Sequence, residues 1–245
     1  MKYALLASGS KGNSFYLESQ GVKILIDCGT TQRYLKDNLS NLSVELDDLD
    51  ALLITHDHSD HTKQIRMFEG HKVYSPTHLS VRYKKVLPYE MFNIEHLTVF
   101  PIKTSHDAEE TVGYVIDDCE HRLVYITDTG YIREKDLKHI KNADYYVLES
   151  NHDPAMLMKT SRPYTIKRRI LSESGHLSND QAADILEKVV GDNTKEITLA
   201  HLSLEANTES LAYETVRNRI TDKSIIINVG RQFEMIFGGG FNGKE

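Results

Sequence analysis

Thr55-His56-Asp57-His58-Ser59-Asp60-His61 follows the apolar run Ala51-Leu52-Leu53-Ile54, which reads as a short buried strand. The strand therefore ends in three histidines and two aspartates at one loop tip. His56 and His58 are two apart, so an extended backbone points both rings to one side. Asp60 and His61 fall where the chain turns into a helix and can face a second point nearby. One metal takes about three or four ligands. Four candidates between His56 and His61, facing two ways, point to two metals. Without a cation, packed imidazoles and carboxylates would repel or desolvate one another.

The spacing H-x-H-x-D-H after a strand resembles the metallo-β-lactamase superfamily. The resemblance implies an α/β chain with an αββα sandwich, two mixed β-sheets flanked by helices, formed as one domain over residues 1–245. It also predicts further ligands at later strand ends. His106 lies in Thr104-Ser105-His106-Asp107-Ala108, just past the strand Leu97-Thr98-Val99-Phe100. Val112 to Ile116 and Arg122 to Ile126 read as a hairpin whose second strand runs into Thr127-Asp128-Thr129-Gly130. Ile197-Thr198-Leu199-Ala200 runs into His201.

Composition fits a soluble globular chain, with 40% hydrophobic and 27% charged residues. The formal net charge of −7 argues by itself weakly against a nucleic-acid partner, although two bound dications would offset part of it in the cleft. The two cysteines, Cys28 and Cys119, make no disulfide framework and read as ordinary buried thiols in a reducing compartment. No signal peptide and no bilayer-spanning run is visible, so the expected location is cytoplasmic.

The remaining elements follow in order. Lys2 to Ala7 is a strand. Ser8-Gly9-Ser10-Lys11-Gly12-Asn13-Ser14 is a small-residue loop, either a hairpin connection or a concave anion site of amides and hydroxyls. Strands follow at Phe15 to Leu17 and Val22 to Asp27, then a helix capped by Thr30 or Thr31. Asp27 reads as orienting a ligand histidine, or as a simple cap. His61 to Phe68 reads as helical, and Pro76-Thr77 opens another helix with Arg82-Tyr83-Lys84-Lys85 on a solvated face. His71, His78 and His96 lack partner spacing and read as surface or packing residues. Tyr145-Tyr146-Val147-Leu148 is a strand ending in Glu149-Ser150-Asn151-His152-Asp153. Lys159 to Arg169 is the most basic stretch, a charged surface loop or a phosphate-backbone grip with Tyr164 available to stack. Asp180 to Val190 has helical apolar spacing. A helix near Thr208 to Ile220 and strands at Ser224 to Asn228 and Gln232 to Ile236 close the chain, with 238–245 as a flexible tail.

Together Ala7-Ser8-Gly9-Ser10, the 55–61 loop, Ser105-His106-Asp107-Ala108, Thr127-Asp128-Thr129-Gly130, Glu149 to Asp153, Ile166 to Ser172, Gly175-His176-Leu177-Ser178-Asn179 and Leu199 to Ser203 resemble the YycJ/WalJ (VicX) group of metallo-hydrolases. The resemblance implies one ion on His56, His58 and His106 and a second on Asp60, His61 and His201, with Asp128 bridging. Two ions about 3.5–4 Å apart would clamp a phosphoryl group and turn a bridging water into the attacking hydroxide. His176 and Asp60 are the catalytic candidates, His176 as proton donor to the leaving oxygen. Substrate contacts are expected from Ser8, Ser10, Asn13, Asn151, His152, Lys167, Arg168 and Arg169. Ligands without thiolate suit Mn²⁺, Zn²⁺ or Fe²⁺, and the resemblance favours Mn²⁺ for activity. The chain departs from the group at Asp57, where glutamate is usual, and at Ala206, where asparagine is.

The leading reading is a phosphodiesterase, by resemblance a 5′-to-3′ exonuclease on duplex DNA. The alternatives are a hydrolase of small diesters, thioesters or lactones on the same fold, and a non-catalytic regulatory partner of a two-component system.

Overall fold

The computed structural model describes residues 1–240. Chain order gives β1 (Lys2–Ala7), β2 (Ser14–Ser19), β3 (Val22–Ile26), α1 (Gln32–Asn41), β4 (Ala51–Leu53), α2 (Ser59–Thr62), β5 (Val73–Ser75) and β6 (Lys84–Lys85). Then come β7 (Phe92–Ile94), β8 (Leu97–Lys103), β9 (Val112–Asp117), β10 (Arg122–Ile126), α3 (Leu137–Ile140) and β11 (Tyr145–Glu149). The chain continues through α4 (Pro154–Lys159), α5 (Tyr164–Ile170), α6 (Asn179–Val189), β12 (Glu196–Ala200), α7 (Glu209–Arg219), β13 (Ile226–Val229) and β14 (Ile236–Gly239). The strands form two sheets, ordered β14-β1-β2-β3-β4-β5-β6 and β13-β12-β11-β10-β9-β8-β7. Both mix parallel and antiparallel pairs.

The strands read as nearly continuous apolar runs because both faces of each sheet are covered. In β1, Leu5 points into the inter-sheet core and Leu6 outward; in β3, Ile24 and Ile26 point in and Leu25 out. The second sheet follows the same period of two, with Tyr145 and Val147 inward and Tyr146 and Leu148 outward. Tyr3, Phe15, Tyr114 and Tyr125 fill the inter-sheet layer. Leu35 and Leu39 of α1 cover one outer face, and Ala182, Leu186 and Val189 of α6 with Ala212 and Val216 of α7 cover the other. The result is an αββα sandwich.

Capping fixes the helix starts. Thr31 accepts the Tyr34 amide at α1, and Ser178 and Gln181 form a capping box at α6.

Several expectations are corrected. No helix follows Pro76-Thr77: the Ser75 hydroxyl accepts the Thr77 amide in a turn, and Lys84–Lys85 form the edge strand β6 instead of a helix face. The segment after His61 is a short α2 and a 3₁₀ turn at Ile65–Phe68. The last two strands lie later than read, and Gly238 and Gly239 pair with Tyr3 and Lys2 as part of β14. Cys28 is buried as read, but Cys119 is exposed. Of the expected tail, residues 241–245 lie outside the described residues. Among the described residues, no helix is long and apolar enough to cross a membrane.

Candidate metal centre

Four strand ends of the second sheet meet at one edge. β8 and β10 run the same way because each is antiparallel to β9, and β11 and β12 run parallel to β10. Their C-terminal ends therefore present His106, Asp128, Glu149 and His201 side by side. The first sheet brings its metal loop to the same edge. The Val112 amide donates to Thr55 O at 3.0 Å and the Tyr114 hydroxyl to Ile54 O at 2.5 Å.

The backbone bends sharply where these residues sit. Asp27, Asp128 and His201 have φ of 61°, 53° and 57°. That left-handed region is uncommon outside glycine but is entered several-fold more often by Asp and His. They follow β3, β10 and β12, and the bend turns Asp128 and His201 into the cleft and Asp27 onto the back of the His61 ring. Gly29 allows the two loops to touch, since a Cβ there would lie 1.6 Å from the Asp60 carbonyl oxygen.

Ring nitrogens of His56, His58 and His106 lie within 4.8 Å of one another. A second group joins Asp128, Glu149, His176 and His201, and a third joins His56, His61 and Asp128. Asp128 links them. Its Oδ2 is 3.0 Å from His61 Nε2, and its Oδ1 is 3.3 Å from His201 Nδ1, 3.6 Å from His176 Nδ1 and 3.9 Å from His106 Nε2. Asp60 stands at the margin, with Oδ2 3.8 Å from His61 Nε2.

A second layer orients the rings. Asp27 Oδ2 lies 2.7 Å from His61 Nδ1 while its carboxylate accepts the Thr55 amide and hydroxyl, each at 2.9 Å. This fixes the tautomer that turns the His61 Nε2 lone pair toward Asp128 and Asn13, which is the role read for Asp27. Glu149 does the same for two rings. Its Oε1 is 2.7 Å from His176 Nδ1 and 2.8 Å from His201 Nδ1, and its Oε2 accepts the Thr129 and Leu177 amides. Sequence reasoning missed Glu149 as a site residue. The available signal was its place at the end of β11, between the ends of β10 and β12.

The electrostatics follow from burial and this pairing. Burial works to raise the Asp128 carboxyl, but His201 and His61 hold it well below the ordinary range. Burial likewise opposes ionisation of Glu149, yet His176 and His201 bring it down to about 2. Burial pulls His201 down, and Asp128 with Glu149 overcomes it, raising the ring to about 9. His56 and His106 go the other way, lowered by burial. A cluster of this kind is balanced by carboxylates on one side and left electron-rich but unprotonated on the other.

Residues 22–201 match the family model of the Beta-lactamase superfamily domain. The exodeoxyribonuclease WalJ of Streptococcus pneumoniae serotype 2 (strain D39) is 35% identical, over 93% of this chain and 91% of the relative. The exodeoxyribonuclease YycJ of Bacillus anthracis is 34% identical, over 96% of this chain and 94% of the relative. Among solved structures, the metallo-β-lactamase fold protein YhfI from Bacillus subtilis superposes with a TM-score of 0.72 at 18% identity, covering 97% of this chain and 99% of that one. The chain belongs to the metallo-β-lactamase superfamily and is of the YycJ/WalJ type. A YycJ/WalJ-type chain is a metal-dependent hydrolase, and its clustered histidines and aspartates fit divalent ions.

The side chains themselves bear out that fit. His56 Nε2, His201 Nε2 and Asp128 Oδ2 are buried without a hydrogen-bond partner. Each such orphan costs roughly 1–3 kcal/mol, and a cation at the centre of the cluster would satisfy all of them.

The expected substrate contacts of this YycJ/WalJ-type site divide sharply. Ser10 and Arg169 line a cleft of about 250 Å³ beside His176 and His201. Arg168 is exposed on α5 but is not among that cleft's lining residues. The others are buried, most of them bonded within the protein. Ser8 Oγ accepts the His201 amide at 2.6 Å, and Asn13 Nδ2 lies 2.9 Å from His61 Nε2. Asn151, at the cleft wall, donates its side-chain amide to His201 O. Lys167 is buried, with Nζ donating to the Met158 and Thr160 carbonyls at the C-terminal end of α4. His152 is buried with neither ring nitrogen partnered. The amide cradle read for the Gly/Ser loop is closed as well, because Gly9, Lys11, Gly12 and Asn13 all donate within the protein. At the departure from the group, Ala206 is buried, and the adjacent Asn207 ties Ser150, Asn151 and Asn179 together.

Proposed function

We infer that this chain is a 5′-to-3′ exonuclease acting on double-stranded DNA in the cytoplasm. The observation that carries the reading is Asp128, one carboxylate within 3.0–3.9 Å of the rings of His61, His201, His176 and His106. The two relatives matched over nearly their whole length, both exodeoxyribonucleases by name, support DNA as substrate. His56, His58 and His106 would hold one ion. Asp60, His61 and His201 would hold the other, with Asp128 between them and Mn²⁺ favoured. When bound, such ions supply a nucleophile from water at neutral pH and a charge clamp on the phosphoryl oxygens.

The chain's own groups divide the rest of the work. Asp27 and Glu149 hold the His61, His176 and His201 rings in one orientation. Because Glu149 engages Nδ1 of His176, Nε2 is left to the cleft, and the ring in its doubly protonated form would give the Nε2 proton to a departing oxygen. Ser8 and Asn151 grip the His201 backbone from both sides.

The test is a 5′-labelled, 5′-phosphorylated duplex with Mn²⁺, comparing the wild type with an Asp60→Ala, His61→Ala variant. Release of labelled nucleotide by the wild type alone is the expected result. No release, with bis-p-nitrophenyl phosphate still hydrolysed, would move the substrate to small diesters, the reading that the modest cleft of about 250 Å³ favours.

A further inference from the structure

His176 is held at two points. Glu149 Oε1 lies 2.7 Å from its ring Nδ1, and the Ile170 carbonyl accepts its backbone amide at 3.0 Å. Glu149 ends β11, whereas His176 lies 27 residues further on, in the turn before α6. Their alignment therefore depends on what fastens that turn to the strand end.

The fastening is a buried polar knot. The Asn151 amide donates to Leu177 O and the Asn179 amide to His152 O, each at 2.9 Å, so the turn runs beside the strand end. The side-chain amides of Asn179 and Asn207 face each other, and each donates to the other at 2.9 Å. Asn207 Nδ2 also donates to the Ser150 and Asn151 carbonyls at 2.9 and 3.1 Å, and the Ser150 hydroxyl donates to Asn179 Oδ1 at 2.7 Å. Asn207 Oδ1 accepts the Thr208 amide as well, at the start of α7. Ser150, Asn179 and Asn207 are all buried. Apolar side chains would fill this space without the desolvation of two amides. What the amides add is direction. Their bonds hold only in one alignment of three segments: the end of β11, the turn before α6 and the loop before α7.

We propose that Asn179 and Asn207 are positioning residues for proton donation: with Ser150 they fix the turn that carries His176 against the strand end that carries Glu149. The proposal rests on the reading of His176 as proton donor. None of the three residues lines the cleft, so they reach the reaction only through the Glu149–His176 pair. In that step one proton moves from His176 Nε2 to the oxygen as its bond to phosphorus breaks. The ring is left neutral, and Glu149 keeps Nδ1–H in place. A displacement of the donor by about 1 Å costs on the order of 10²-fold in such a step.

Leaving-group dependence tests this, because a basic leaving group needs the proton and a weakly basic one does not. The metal-loaded protein is given bis-p-nitrophenyl phosphate and diphenyl phosphate, and the readout is the ratio of the two kcat values. No DNA is used, so the outcome is independent of the exonuclease reading. Relative to the wild type, His176→Ala should enlarge the ratio in favour of the p-nitrophenyl ester by about tenfold or more. Asn207→Ala should act in the same direction by about tenfold, and Ser150→Ala by roughly threefold. Asn207→Ala added to His176→Ala should enlarge the ratio no further, because both act on one step. Loss of metal or of general stability slows both esters alike. An Asn207→Ala variant that does so overturns the proposal, as does a full further effect in the double variant. If Asn207→Ala does not fold, Ser150→Ala, which removes one bond, decides: an unchanged ratio overturns the proposal. If His176→Ala itself leaves the ratio unchanged, the proton-donor reading falls and takes the proposal with it.

Discussion

The two ends of the sandwich handle buried charge in opposite ways. At one end, the strands stop in His and Asp residues, and His56 Nε2, His201 Nε2, Asp128 Oδ2 and both nitrogens of His152 are left without partners. At the other, the β2–β3 and β9–β10 turns close on Asp118. Its carboxylate accepts the Ser19 hydroxyl at 2.5 Å and the Glu120 and His121 amides, with the N-terminal ammonium 3.6 Å away. One His121 nitrogen is the only orphan there among these groups. The same residue types thus serve two ends. A satisfied carboxylate ties loops and stabilises the fold, whereas a set of orphans in strained backbone is stable only because the surrounding core fixes it. The unsatisfied end is the one expected to act.

The largest effect should come from Asp128, which belongs to two of the three groups and lies 3.9 Å from His106 of the other. Asp128→Ala should lower kcat/KM on bis-p-nitrophenyl phosphate by about 10³-fold or more and reduce bound metal as measured by plasma mass spectrometry. His58→Ala should retain more metal, because His58 belongs to one group only. Equal metal loss in both variants would break the picture of Asp128 as the shared ligand.

Glu149→Gln comes next. It keeps the shape but removes the charge that holds His176 and His201, so a loss of about 10–100-fold in activity or metal affinity is expected. If kcat falls while metal content holds, Glu149 acts mainly through His176. If metal is lost in parallel, it acts mainly through His201. Unchanged values for both would remove Glu149 from the site.

How much of this was legible in the sequence differs residue by residue. The 55–61 loop, His106, Asp128 and His201 could be read because each follows an apolar strand, and a polar residue at a strand end breaks that pattern visibly. Glu149 also ends a strand, but it opens a polar run, and its partners come from segments 27 and 52 residues further on. Only the parallel register of β11 with β12, which sets Glu149 opposite Ala200, brings them together. The basic stretch failed differently. Lys167, Arg168 and Arg169 look alike in sequence, yet the helical turn aims Lys167 at backbone carbonyls and Arg169 at Asp107. The region after Pro76 misled because Pro-Thr is a helix-start signal with no apolar period behind it to continue the helix.

At the satisfied end, Asp118→Asn should destabilise the protein at pH 7 by about 1–3 kcal/mol, or roughly 2–4 °C in Tm per kcal/mol. The sign with pH follows from the carboxyl itself. Burial works to raise it, but the Ser19, His121 and Glu120 bonds and the N-terminal charge leave it below the ordinary value. Its contribution is therefore complete above the unfolded pKa and disappears as pH falls through the folded one. The gap between the denaturant midpoints of wild type and variant should begin to narrow as pH falls below about 4 and close only below the folded pKa, and a gap that does not narrow on acidification would sink the argument.

The smallest effect, and opposite in sign, is expected from His152→Leu at the unsatisfied end. Burial, reinforced by the His176 ring, outweighs Glu149 and Asp153 and lowers His152 to about 4. The folded protein thus holds this ring neutral where the unfolded chain, near 6.5, begins to protonate. Between those values the unfolded state binds more protons, so stability declines as pH drops from about 6.5 towards 4. Leucine has similar bulk and leaves no polar atom unpaired. The variant should match or exceed the wild type by about 1 kcal/mol at pH 8 and exceed it further at pH 5. A variant less stable at both pH values would mean that the ring makes an interaction the apolar side chain cannot replace. The contrast between the two ends would then lie in the orphaned atoms of His56, His201 and Asp128 alone.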